Sequence, residues 1–103
     1  MAYVVVRHYR GSSALMDELE RLSDEVEELI GGISGFVAYH LARSEEGGGF
    51  SVSVFQDRAG AEESVQAARK FILDKVPDVA GSPPEVIQGE AFIGFAAGGR
   101  QAT

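Results

Sequence analysis

The sequence predicts an α+β domain in which a four-stranded antiparallel sheet, in the order 4-1-3-2, carries two helices on one face. Three observations lead there. Several short stretches alternate apolar and other residues with the period of an extended chain. Two longer stretches repeat apolar residues at spacings of three and four, the period of a helix. Between them, Gly- and Pro-rich breaks give the order strand, helix, strand, strand, helix, strand.

The first strand, Ala2 to Tyr9, has Tyr3, Val5, Arg7 and Tyr9 on one side and Val4, Val6 and His8 on the other. After Gly11 come two N-cap candidates, Ser12 and Ser13. Leu15, Leu19, Leu22, Val26 and Leu29 then fall on a single stripe of one helix, and Gly31 and Gly32 can end it. Phe36 to Arg43 is rich in aromatic and branched residues and reads as the second strand. The three glycines of Ser44 to Gly49 reverse the chain into a third strand, Phe50 to Gln56, forming a hairpin. Asp57 can cap a second helix with Ala61, Val65, Ala68 and Ile72 on its stripe, which Pro77 terminates near Lys75 or Val76. A loop from Pro77 to Pro84 leads to a last strand from Glu85 to about Phe95. Right-handed crossovers in each half turn this order into a split βαβ, ferredoxin-like arrangement with both helices on the same face. A single domain over 1–95 and a flexible tail over 96–103 are expected.

Both sides of the predicted strands are apolar. The second strand has Phe36, Ala38 and Ala42 on one side and Val37, Tyr39 and Leu41 on the other, and Val4 and Val6 oppose Tyr3, Val5 and Tyr9 on the first. A sheet covered on one face only should be polar on its other face. The expectation is therefore a homodimer built sheet to sheet, with a monomer carrying a few exposed aromatics as the other reading.

The chain has 103 residues, 45% of them apolar and 24% charged, which suits a folded domain. Its net charge of −7 repels phosphate backbones and anionic lipid, so no nucleic acid and no membrane partner is expected. With no cysteine and no signal-peptide pattern in the opening residues, a cytoplasmic location is expected.

Several segments together resemble the antibiotic biosynthesis monooxygenase-like family, in a bacterial branch of small stand-alone proteins. They are Arg7-His8-Tyr9-Arg10-Gly11, the run Gly32 to Tyr39, the run Phe50 to Asp57 leading into Gly60 to Ser64, and Pro83 to Glu90. The resemblance implies a dimeric α+β barrel. It also implies a cavity between sheet and helices in which phenols are oxidised, or haem is opened, without flavin or nicotinamide; no cofactor is therefore expected. The family's usual Trp, Asn and second-helix His are absent, and Phe55 stands at the Trp position. That alignment would place Ser51, Ser53 and Phe55 on the helix side; solvent-facing serines are the competing reading.

His8 and His40 are the side chains able to act as a base near neutral pH, although a strand-end or interface role suits them equally. The separation of their strands argues against a shared metal, and no metal site is expected. Arg7, among Tyr9 and Tyr39, could hold a carboxylate or enolate, or could instead pair with Glu90. Asp57, Glu62 and Glu63 read as helix cap and first turn. The resulting expectation is a protein that binds a small aromatic or apolar metabolite through Tyr9, Tyr39, Ser51, Ser53 and Phe55. One alternative is a cofactor-independent monooxygenase or isomerase acting on a phenol, with His8 or His40 as base and Arg7 stabilising the anion. Another is a non-catalytic assembly or regulatory module. A cavity of ~300 Å³ or more would separate the ligand-binding readings from the last.

Overall fold

The computed structural model describes residues 2–11 and 13–98. Its elements are β1 (Tyr3–Arg10), α1 (Ser13–Arg21), α2 (Ser23–Gly31), β2 (Phe36–Arg43), β3 (Gly48–Phe55), α3 (Arg58–Lys75), a 3-10 turn (Pro77–Val79) and β4 (Glu85–Glu90). The sheet is antiparallel throughout, in the order β2-β3-β1-β4. Among the described residues no helix is long and apolar enough to cross a membrane.

Alternation decides which residues meet the helices. On β1, Val5, Arg7 and Tyr9 are buried while Val4, Val6 and His8 are half-exposed. Their cross-strand partners follow suit: Ser51 opposes Arg7 and Ser53 opposes Val5 on the covered face, while Val52 opposes Val6 and Phe50 opposes His8 on the open one. The core lies between the covered face and the helices, where Val5, Tyr9 and Phe55 meet Leu15, Met16, Leu19, Val26, Ile30, Ala61 and Ile72. Two glycines allow the helices to sit close to β3. A Cβ on Gly49 would run into the Met16 thioether of α1, and one on Gly60 of α3 would lie 2.8 Å from the Ser34 carbonyl and 3.0 Å from the Phe55 ring. Asp57 caps α3, its carboxylate accepting from the Gly60 N–H at 3.0 Å.

The structure corrects the predicted architecture in several respects. There are three helices rather than two, because the first predicted helix changes direction at Leu22, whose φ of −99° and ψ of 22° leave the helical region. The Leu22 N–H still bonds Glu18 and the Val26 N–H still bonds Leu22, both at 3.0 Å, so the chain bends without a loop. The buried positions after the bend are Val26 and Ile30, with Leu29 only half-buried. The sheet is open and not a barrel: β2 and β4 are its free edges, and four strands spaced about 4.8 Å apart form a ribbon too narrow to close around a core.

Strand four stops at Glu90, where pairing with β1 ends at Tyr3, instead of running on to Phe95. One more bond, Ala91 N–H to the Ala2 carbonyl at 2.8 Å, follows, and Phe92, Ile93 and Phe95 are exposed. A register slip between Phe36 and Ala38 places Phe36 opposite Phe55, so it shares the covered side with Tyr39 and Leu41 instead of following Ala38 and Ala42. The cap candidate Ser12 and tail residues 99–103 lie outside the described residues, and Ser13 is the first residue of α1.

Candidate functional site

The helix-covered face of the sheet carries a polar cluster in an otherwise apolar layer. Arg7 is 1% exposed. Its Nε donates to the Tyr9 hydroxyl at 3.3 Å and its Nη1 to Ser64 Oγ at 3.5 Å, and Ser64 Oγ in turn donates to the Ala61 carbonyl at 2.6 Å. Ser51 and Ser53 are wholly buried, and neither hydroxyl has a hydrogen-bond partner. Tyr39 lies beside Arg7. Burial pushes its phenol above the usual tyrosine value, with the pull of Arg7 acting the other way, so it stays a neutral hydroxyl at physiological pH. Phe55, fully buried, closes the far end of the cluster edge-on to Phe36, with ring centroids 5.9 Å apart.

The alternation of β1 and β3 explains this gathering: Arg7, Tyr9, Ser51, Ser53 and Phe55 all point to one side. Glu90 does not meet Arg7. The register sets Glu90 opposite Tyr3 and Val86 opposite Arg7, and no carboxylate pairs with Arg7 among the described residues. His8 and His40 are on the open face, so the structure does not bring either imidazole to Arg7. His8 Nδ1 lies 3.8 Å from Glu85 instead, and His40 is exposed. Among the described residues no three His, Asp or Glu side chains converge as a metal-ligand set.

Two hollows flank the cluster. The larger, about 940 Å³, is an open cleft between the α1–α2 pair and β2. Leu19, Val26, Ile30, Phe36, Tyr39 and Leu41 give it an apolar floor, and Glu20, Asp24, Glu27 and Glu28 an acidic rim. The smaller, about 180 Å³, lies under α3 and is walled by Arg7, Tyr9, Val65, Arg69, Ile72 and the segment Ala80 to Pro84, among others. Sequence reasoning had not singled out Ser64 or Arg69. Ser64 did leave a signal, since it lies three residues after Ala61 and four before Ala68, on the predicted apolar stripe of its helix.

Solved structures with the same architecture decide the class of this fold. NE2512, a protein of unknown function from Nitrosomonas europaea, superposes with a TM-score of 0.70 at 16% identity, covering 92% of each chain. A candidate antibiotic biosynthesis monooxygenase from Bordetella bronchiseptica gives 0.70 at 14% identity over 89% of this chain and 98% of that one. The chain shares the fold of these solved structures. A further protein of that fold, the monooxygenase from the gene ActVA-Orf6 of Streptomyces coelicolor, was solved in complex with nanaomycin D and gives 0.65 at 14% identity over 92% and 90%. No protein-family profile and no curated protein matches the chain. The antibiotic biosynthesis monooxygenase resemblance read from the sequence thus agrees with the structure at the level of fold.

Proposed function

We propose that this protein binds a small, largely apolar or aromatic molecule between its sheet and its helices, in the cleft beneath α1 and α2. The observation that carries this reading is the cleft itself: about 940 Å³ with an apolar floor, within the ~300–1,000 Å³ usual for small-molecule sites. Tyr39 supplies a neutral hydroxyl in its wall, and the unpartnered Ser51 and Ser53 occupy the adjacent strand opposite Leu41 and Tyr39. A fold-mate solved with a small ligand supports the reading by analogy. The acidic rim favours a neutral or cationic guest over an anion. Because His8 and His40 face the other side of the sheet, the reading is one of binding and assigns neither imidazole a catalytic role.

The test is a titration with 2-naphthol, a neutral two-ring phenol, followed by amide NMR. Shifts centred on Leu19, Val26, Ile30, Tyr39 and Leu41, lost in Leu41→Trp, are the expected result. Saturating 2-naphthol without movement of these resonances would sink the reading.

The same reading has a second copy of the chain covering the open face. Val4, Val6, Val52 and Val54 are half-buried there, Phe50 is 38% exposed and Ile87 63%. An apolar surface of that kind on a sheet favours burial against its own two-fold copy. Sedimentation at micromolar concentration should give twice the chain mass. A single-chain mass would remove this part of the proposal.

A further inference from the structure

The basic residues sort into two groups. Arg10, Arg21, Arg43, Arg58, Lys70 and Lys75 each lie within 4.0 Å of a carboxylate, as expected for a chain with sixteen acidic residues. Among the described residues only Arg7 and Arg69 have no such partner, and both line the small cavity under α3. No Asp or Glu lines it. Arg7 is moreover the one charged side chain among the described residues that is buried.

An isolated charge taken out of water costs several kcal/mol unless an opposite charge and good hydrogen bonds compensate it. Here the compensation comes from neutral hydroxyls only: two long hydrogen bonds, to Tyr9 and Ser64, and the neighbouring Tyr39 phenol. Had Arg7 only a packing role, an apolar side chain of similar length would fill the position at lower cost. Most of the rest of the wall is apolar, with Val65, Ile72, Leu73, Pro83, Pro84 and Val86, while Tyr9 and Ser82 add hydroxyls. We propose that this cavity, at about 180 Å³ smaller than the ~300 Å³ or more of sites for drug-sized ligands, is a second binding site, distinct from the cleft, which takes only a small carboxylate with an apolar one-ring body, its charge held by Arg7 from within and by Arg69 at the exposed side. A guanidinium offers a fork of N–H donors that matches a carboxylate, and an anion there would neutralise the buried charge.

The probe pair is benzoate and benzamide, the same shape with and without charge, measured by calorimetry on the wild-type protein. Benzoate should bind at least about tenfold more tightly than benzamide, a difference of about 1.4 kcal/mol. Arg7→Met should abolish that preference, and Arg69→Gln, at an exposed position, should weaken benzoate several-fold. Equal affinity for the two probes, binding of neither, or a preference surviving in Arg7→Met overturns the proposal. Thermal melting without ligand gives an independent reading. Arg7→Met should raise the midpoint, since it removes an uncompensated buried charge. A lowered midpoint would mark Arg7 as a structural residue and overturn the proposal. The 2-naphthol titration of the cleft should be unchanged in Arg69→Gln, so failure of one site is distinguishable from failure of the other.

Discussion

The cleft under α1 and α2 and the cavity under α3 are walled by the same face of one sheet, yet they carry opposite charge. Four carboxylates rim the first, and two guanidiniums line the second. Their arginines make the contrast sharpest. Arg43, in the cleft wall, is exposed and bonded to Asp17 at 2.9 Å and Glu20 at 2.6 Å. Arg7 is buried with hydroxyls as its only hydrogen-bond partners among the described residues. The first arrangement is ordinary surface pairing, which stabilises little. The second costs stability, so its retention calls for a role outside the folded chain itself. The molecule thus separates a roomy site selected by shape from a small one selected by charge.

The strongest challenge to that partition is removal of Phe55, which packs on Phe36 of the cleft wall and against Gly60 of α3. Phe55→Ala should cost about 3–5 kcal/mol in urea denaturation; a loss below about 1 kcal/mol would show that the two hollows do not depend on this ring. Next come two helical glycines. Gly60→Ala forces a Cβ against the Ser34 carbonyl and should destabilise by about 1–3 kcal/mol, whereas Gly31→Ala, with open space at the end of α2, should stabilise by up to about 1 kcal/mol. If both variants shift alike, α3 is no more tightly seated than α2.

Titration offers a smaller effect. The folded pKa of Tyr39 lies above its unfolded value of 10.0, so the fold favours its protonated form. That contribution is complete below pH 10 and is lost as pH rises through the higher folded value. Tyr39→Phe should therefore melt less steeply with rising alkalinity than the wild type, and identical alkaline profiles would remove Tyr39 as a source of that dependence. The least effect belongs to Arg43→Ala, which should move the melting midpoint slightly and only at low salt. A large, salt-independent drop would erase the distinction from Arg7.

The four strands and their order in the sheet could be read from the sequence because alternation and helical spacing are local properties of the chain. The bend at Leu22 could not, since Leu15, Leu19, Leu22, Val26 and Leu29 form an unbroken stripe whether or not the axis turns. Barrel closure came from family resemblance, and nothing in the alternation of one chain's strands requires it. Strand four looked longer because apolar residues continue to Phe95, whereas pairing ends where β1 does. At the site, Arg7 and Tyr9 share a face by simple alternation. The Glu90 alternative failed because a partner depends on register: Arg7 meets Val86, four residues before Glu90. The cavity wall from Ala80 to Pro84 was invisible for a similar reason, since a loop's prolines indicate where regular structure stops, not which surface the loop covers.

The sheet's two edges are unequally guarded. All six residues of β4 are exposed, and only β1 holds that strand in place. Backbone protons along it will therefore swap with solvent sooner than those of the two central ribbons. Because Val86 belongs to this poorly protected margin and Pro84 directly precedes it, the arginine-lined chamber has one soft side, which can loosen while the centre of the molecule stays folded.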